Sequence, residues 1–265
     1  MLNVLYIGDA VGKAGRSAVT KLVPELRKEL SLDAVFLNAE NIAHGNGITP
    51  QTITEVLEGG VDFCSSGNHI WDNERGIEYL KSSDAKVIRP ANFSESDPGV
   101  GWAEMVIGEY KILLINLIGE VFMAQEVASP FTTADKILEQ INPKDYSAIF
   151  VDLHAEATSE KQALAHYLDG RVTAVVGTHT HVPTADLRVL PKGTGLVCDL
   201  GYVGARDSVL GFDVAKVLER FLSQTHVSLP PIESGPTLFN SVLFTIDPNT
   251  RLLNKIQRID REIEV

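Results

Sequence analysis

Short apolar runs alternate with segments of helical periodicity over much of the chain. "LNVLYIG", residues 2–8, reads as a buried strand. The next segment, "SAVTKLVPELRKEL" (17–30), has the spacing of a helix despite Pro24. "AVFLNAEN" (34–41) is a second strand. Thr49-Pro50 marks a helix start, an N-cap residue followed by proline at the first helical position. A third strand, "VDFCSSG" (61–67), precedes a helical stretch from about Asn73 to Lys81. "WAEMVIG" and "KILLINLIG" flank a turn at Glu109-Tyr110 and read as a hairpin. "AIFVDLHA" and "VTAVVGTHTH" are strands separated by the helix "SEKQALAHYLDG". The tail, "TLFNSVLFTIDPNTRLLNKIQRID", reads as two strands around an Asp-Pro-Asn turn.

The first half is therefore βαβαβ-like, which predicts an α/β protein with mainly parallel pairing and antiparallel additions from the hairpins. No internal repeat, linker or low-complexity segment interrupts it. With 265 residues the expectation is a single domain spanning 1–265, long enough to bury a substantial core.

The polar residues fall in a pattern. The first strand ends in Gly8-Asp9, the second in Glu40-Asn41 and the third in Asn68-His69. "FVDLH" ends in His154, and "VVGTHTH" in His179 and His181. Carboxyl ends of strands are where α/β sheets build sites. Each residue alone has a plain structural reading: a turn aspartate, or a hydrogen-bonded histidine. Glu40 is harder to dismiss, because a charge after "VFLNA" would be buried and costly without a partner. In H-x-H, residues two apart on an extended segment face the same way and can reach adjacent metal ions. His44, His166 and His226 are set aside. His166 lies on an amphipathic helix, His44 lies in a Gly-rich loop, and His226 has no evident partner.

Composition narrows the chemistry. The chain is 44% hydrophobic and 22% charged, as soluble globular proteins are, and its net charge of −12 disfavours non-specific binding to duplex nucleic acid or anionic membrane. No segment approaches the apolar length of a membrane span, and the N-terminus lacks a basic leader, so the expected location is cytoplasmic. Cys64 and Cys198 stand far apart in apolar surroundings and read as small buried side chains rather than a disulfide or thiolate site. "GDAVGKAGR" superficially matches a phosphate-binding loop, but its spacing is one residue short and Ala14 stands where a hydroxyl would bind magnesium. A glycine-lined turn beside Asp9 is the better reading.

Carboxylates, amides and imidazoles without a thiolate suit iron, manganese or zinc. Glu40 could bridge two ions, which would clamp a phosphoryl group and supply a hydroxide at neutral pH. His69, if not itself a ligand, could protonate a departing alkoxide.

The series "GDAVG", "NAEN", "GNHIWD", "LHAEAT" and "GTHTHVPTAD", with "GTGLVCDLGYVGARDSVLG", resembles the calcineurin-like metallophosphoesterases, specifically their YmdB-type branch. The resemblance runs along almost the whole chain. It implies a four-layer α/β/β/α sandwich of two mixed sheets with a dinuclear metal site between loops at the sheet edges. It implies Asp9, Asn41 and His181 around one ion, Asn68, His154 and His179 around the other, Glu40 between them, and His69 as proton donor. Val11 stands where the broad superfamily has the histidine of D-x-H, and Glu40 where it has a bridging aspartate; the branch pattern implies that Asn41 compensates for the lost imidazole. Two ions per chain are expected, iron foremost, with manganese or zinc as alternatives. The branch implies phosphodiesterase activity on 2′,3′-cyclic nucleotides, so the expected partner is a small phosphodiester; a homo-oligomer is compatible with the sequence. Two other readings stay open: a phosphomonoesterase using the same two-metal clamp, and a regulatory protein sensing a nucleotide or metal with little turnover. A proton donor weighs against the last, because binding alone does not need one.

Overall fold

A computed structural model of the chain describes residues 1–223 and 225–265. From the N-terminus come β1 (Leu2–Ala10), α1 (Gly12–Glu29), β2 (Ala34–Asn38), α2 (Pro50–Glu58), β3 (Phe63–Ser65) and α3 (Glu74–Leu80). The hairpin of β4 (Trp102–Ile107) and β5 (Tyr110–Ile118) follows, then α4 (Pro130–Glu139), β6 (Ala148–His154), α5 (Thr158–Tyr167) and β7 (Ala174–Thr178). Short strands β8 (Arg188–Val189), β9 (Gly195–Val197) and β10 (Tyr202–Ala205) lead to α6 (Val214–Ser223). The chain finishes through β11 (Pro236–Phe239), β12 (Ser241–Ile246), β13 (Leu253–Arg258) and β14 (Arg261–Glu264).

Two mixed sheets result. In the first, β2 pairs in parallel with β1, and β3 with β2. Against β1, β12 runs antiparallel to residues 2–7, while β10 runs parallel to Asp9 and Ala10. The second sheet has the order β4-β5-β6-β7-β9-β8, with a parallel centre and antiparallel pairs at both edges.

Both sheets are buried on both faces, which explains the nearly continuous apolar runs. Along β1, Leu5 and Ile7 pack with α1 residues such as Ala18, Val19 and Leu22, while Val4 and Tyr6 face Phe36, Phe150 and Phe244 in the seam between the sheets. Along β6, Ile149, Val151 and Leu153 pack with Ala134 and Ile137 of α4 and Leu164 of α5, while Phe150 turns into the seam. This strict alternation of period two produces the four layers α/β/β/α. Helix α2 starts where Thr49 caps it, its side chain accepting from Thr52 N, with Pro50 in the first turn.

Four local expectations change. Helix α1 begins at Gly12, five residues earlier than its apolar pattern indicates, so only Val11 separates it from β1, and Gly12 takes φ +58° at that turn. The hairpin turns at Gly108-Glu109, where Gly108 takes φ +60°, and Tyr110 already pairs with Ile107. The tail supplies three strands, with β14 following it, because Asn240 breaks what looks like one run: its Oδ1 accepts Tyr202 N at 3.2 Å and its amide donates to Asp260 at 3.2 Å. Helices α4 and α6 lie outside the predicted pattern. Ser129-Pro130 carries the same serine/threonine-proline start as α2, although Ser129 makes no side-chain cap bond.

Candidate metal centre

The first sheet delivers Asp9, Glu40, Asn41, Asn68 and His69 to the site, and the second delivers His154, His179 and His181. Strand β2 stops at Asn38, whose Oδ1 accepts Glu40 N at 3.1 Å and whose amide reaches Ser66 O and Asp152 Oδ2. That bond turns Glu40 inward, where it is 1% exposed. Glu40 Oε2 accepts the backbone N–H of His69 at 3.0 Å, and Oε1 accepts from the Asn41 amide at 3.0 Å. Gly67 permits the convergence: a Cβ there would lie 2.3 Å from His154 Nε2 and 2.4 Å from Glu40 Oε2. Asn68 and His69 then open a short 3₁₀ turn running to Trp71.

His154 is fully buried at the end of β6. Its Nδ1 lies 2.9 Å from Thr178 Oγ1, and the Thr178 hydroxyl donates to Asp152 Oδ1 at 2.8 Å. Thr178 is thus left to accept from Nδ1–H, so the lone pair of the neutral ring is on Nε2. Around that nitrogen stand Asn68 Oδ1 at 3.0 Å, His179 Nδ1 at 3.1 Å and Glu40 Oε1 at 3.2 Å. One proton could answer one of these groups, whereas a cation among them would answer all.

His179 and His181 follow β7 in left-handed conformation, φ +95° and +62°. The expected extended H-x-H geometry is therefore corrected: the two rings diverge because the backbone bends between them. His179 Nε2 is held by Glu156 Oε2 at 3.2 Å, which turns Nδ1 toward His154. His181 stacks on Tyr202, with planes 2° apart and centroids 5.7 Å apart, and its Nε2 lies 3.3 Å from the Asn41 amide and 3.8 Å from Asp9 Oδ1.

Two donor groups emerge, Glu40–His154–His179 and Asp9–Glu40–His181, with the ligand atoms of each within 4.8 Å of one another. Glu40 belongs to both. The residues fit cations on further grounds. Asp9 Oδ1 and His181 Nδ1 are buried without a hydrogen-bond partner among the described residues. Burial, reinforced by the carboxylates of Glu40, Asp199 and Asp152, pushes the Asp9 carboxyl well above its usual range, the sign of a site short of positive charge. Burial also opposes ionisation of Glu40, but the adjacent His154, in its protonated form, would outweigh burial and hold Glu40 below the usual carboxylate range; a cation would take the place of that proton and leave the ring neutral. Burial, then His154, pushes His179 down to about 3, and burial lowers His181; both rings are thereby kept neutral, as ligands must be.

Asp72 was not recognised as a site residue from sequence, yet its Oδ2 lies 2.6 Å from His69 Nδ1. Glu156, Thr178 and Asp152 were likewise missed. H-x-x-D in "NHIWD", three residues apart in a helical turn, was the readable signal for Asp72. His44 and His166 are exposed; His226, set aside above, lines the same cleft as His69, His179 and His181. Both cysteines are buried and free.

A two-sheet sandwich with this donor cluster at its rim is the framework of a metallophosphoesterase, a phosphoric ester hydrolase. The chain belongs to the YmdB-like protein family, whose model matches residues 5–259. It is 40% identical to the 2′,3′-cyclic-nucleotide 2′-phosphodiesterase of Bacillus subtilis, over 97% of this chain and 96% of that protein. A crystal structure of a hypothetical protein from Thermus thermophilus superposes with a TM-score of 0.91 at 36% identity, covering 98% of this chain and 99% of that one. A Mycoplasma pneumoniae structure described as a novel phosphatase gives a TM-score of 0.91 at 30% identity, covering 99% and 94%.

Proposed function

We propose that this protein is a dinuclear-metal phosphodiesterase acting on small phosphodiesters, 2′,3′-cyclic nucleotides foremost. The observation that carries this reading is the pair of donor groups sharing Glu40 in the cleft that His69 lines. Asp9, Asn41 and His181 would hold one cation, and Asn68, His154 and His179 the other, with Glu40 common to both. Bound cations would supply charge neutralisation to the phosphoryl oxygens and activation of water. The mixed oxygen and nitrogen donors suit iron, manganese or zinc, iron being the first expectation.

His69 is the residue that handles the leaving group. Asp72 engages Nδ1, so Nε2 is the nitrogen left to carry the transferable proton. Opening a cyclic diester forms one P–O bond to the oxygen of water and breaks one to the sugar, whose released oxygen takes that proton to become a hydroxyl. Asn68, adjacent in sequence, ties the position of His69 to the donor cluster. The net charge of −12 supports a small substrate anchored at the metal centre over a long phosphate backbone. No helix among the described residues is long and apolar enough to cross a membrane, in keeping with the cytoplasmic location proposed.

The test is hydrolysis of 2′,3′-cyclic AMP, 3′,5′-cyclic AMP, a nitrophenyl monoester and duplex RNA under identical metal loading. The 2′,3′-cyclic nucleotide is expected to give the highest kcat/KM. If the monoester does, the protein is a phosphomonoesterase; metal-dependent binding of nucleotide without turnover would make it a sensor.

A further inference from the structure

The donor cluster forms only one wall of a cleft of about 850 Å³. The facing wall is of different character: Val209, Leu210, Phe212, Val217, Phe221 and Leu229 line it. A phosphoryl group does not need an apolar wall, nor a cleft within the size range of sites for whole organic ligands.

Helix α6 supplies the centre of this wall. Val217, Arg220 and Phe221 stand at i, i+3 and i+4, one face of the helix, and all three line the cleft. Of the helix, only Val217 is buried, and Phe221 is 77% exposed. An amphipathic helix normally buries its apolar stripe against its own core. Here Val217 and Phe221 of that stripe line the space over the metal centre, while Val214, Leu218 and Leu222 are exposed. Phe212, half-buried beside Gly45, continues the wall. Arg220 is the one Lys or Arg among the cleft-lining residues, and Asn46 and His226 are polar groups away from the donor cluster.

We infer that this wall is the nucleobase platform of the cleft, with Phe221 and Phe212 as its aromatic surface and Arg220 as the guanidinium that lies over the base. The inference rests on the phosphodiesterase reading and adds the residues that select a nucleoside ester over a bare one. The occupant is fixed by continuity: a ligand whose phosphate lies at Glu40, His179 and His181 extends its remaining part onto α6. Aromatic and guanidinium faces stack on every base, while Asn46, Thr225 and His226 are, among the described residues, the neighbouring side chains suited to reading a base edge. The platform thus favours bases as a class and discriminates weakly among them.

The experiment compares kcat/KM for 2′,3′-cyclic AMP with that for methyl nitrophenyl phosphate, a diester without a base, in the metal-loaded protein. Phe221→Ala and Arg220→Gln are each expected to lower the nucleotide-to-simple-diester ratio by about 5- to 100-fold, mostly through KM, the range of removing one stacking partner. Phe221→Tyr keeps the ratio. Calorimetric binding of adenosine 3′-monophosphate weakens in parallel in the two disruptive variants. An unchanged ratio and unchanged nucleotide binding in both would overturn the platform. So would loss of a dimer by Phe221→Ala with the ratio intact, which would give the face to a second copy of the chain. If the unaltered protein turns over the simple diester but no cyclic nucleotide, the functional reading fails instead, and nucleotide binding then judges the platform by itself.

Discussion

The ammonium of Lys161, 1% exposed, sits 3.0 Å from Asp199 Oδ2 beneath the loop that carries His179 and His181. It also donates to Thr178 O at 2.8 Å, while Asp199 Oδ2 accepts from Thr180 N and Thr180 Oγ1. The ion pair therefore grips the backbone on both sides of His179. Left-handed conformation at non-glycine residues costs of order 1–3 kcal/mol each and persists only where the surroundings impose it. Lys161 and Asp199 are part of that surrounding.

Removing one partner of this pair leaves a buried charge unanswered. Lys161→Met is expected to lower stability by about 3–5 kcal/mol in denaturant titration. It should also weaken metal uptake, because both histidines lose their setting. The double variant Lys161→Met/Asp199→Asn is expected to be more stable than the two single losses added together, since neither charge is then stranded. Strict additivity would remove the coupling.

His69→Gln is expected to retain metal while cyclic-nucleotide turnover drops about 10²–10⁴-fold, the usual worth of general acid catalysis. A nitrophenolate leaving group needs no proton, so the deficit should shrink on that diester. Asp72→Asn should give a smaller loss on the same two substrates. Equal losses on both, with metal content unchanged, would deny His69 the acid role.

Glu40 belongs to both donor groups, and His181 to one. Glu40→Gln should reduce the occupancy of both ions, whereas His181→Ala should mainly deplete one. Metal stoichiometry after equilibrium dialysis distinguishes the two patterns. Full occupancy in Glu40→Gln would remove the bridge.

The thiols give a pH-dependent prediction. Burial, aided by Asp186, pushes Cys198 up to about 12, and burial alone pushes Cys64 higher still. A raised thiol pKa means less thiolate, about one molecule in ten thousand for Cys198 at pH 8. The folded protein should leave both cysteines unmodified by a disulfide reagent at that pH, and denaturant should release two. Rapid modification of the native protein would contradict the burial.

The strand-end residues were legible in sequence because a buried carboxylate, amide or imidazole after an apolar run conflicts with simple core formation. Glu40 stands out on that ground, Asp9 and His154 only through the recurrence of such residues at successive strand ends, and the structure brings the three together. What surrounds them was not legible. Lys161 looks like an ordinary helix cation, and only the tertiary fold buries it against Asp199. Nothing local announces that Thr178 relays Asp152 to His154, since serines and threonines near strand ends are commonplace. The left-handed turns at His179 and His181 escaped for the same reason: the hydrogen bonds that impose them come from residues 161 and 199, distant in sequence. Helix α6 was missed although Val217 is buried, because Val214, Leu218, Phe221 and Leu222 are exposed and the usual core-facing stripe is lacking.

Asp9, Glu40, Asn41 and Asn68 hang from one sheet, and His154, His179 and His181 from the other. Neither half carries a full donor set, so a cation placed among them acts as a clasp across the seam filled by Tyr6, Phe36 and Phe150. A chain still assembling its second sheet has no complete place to seat metal. If cations bind there as proposed, loading would wait until the two halves have met, and bound ions would mark a finished molecule.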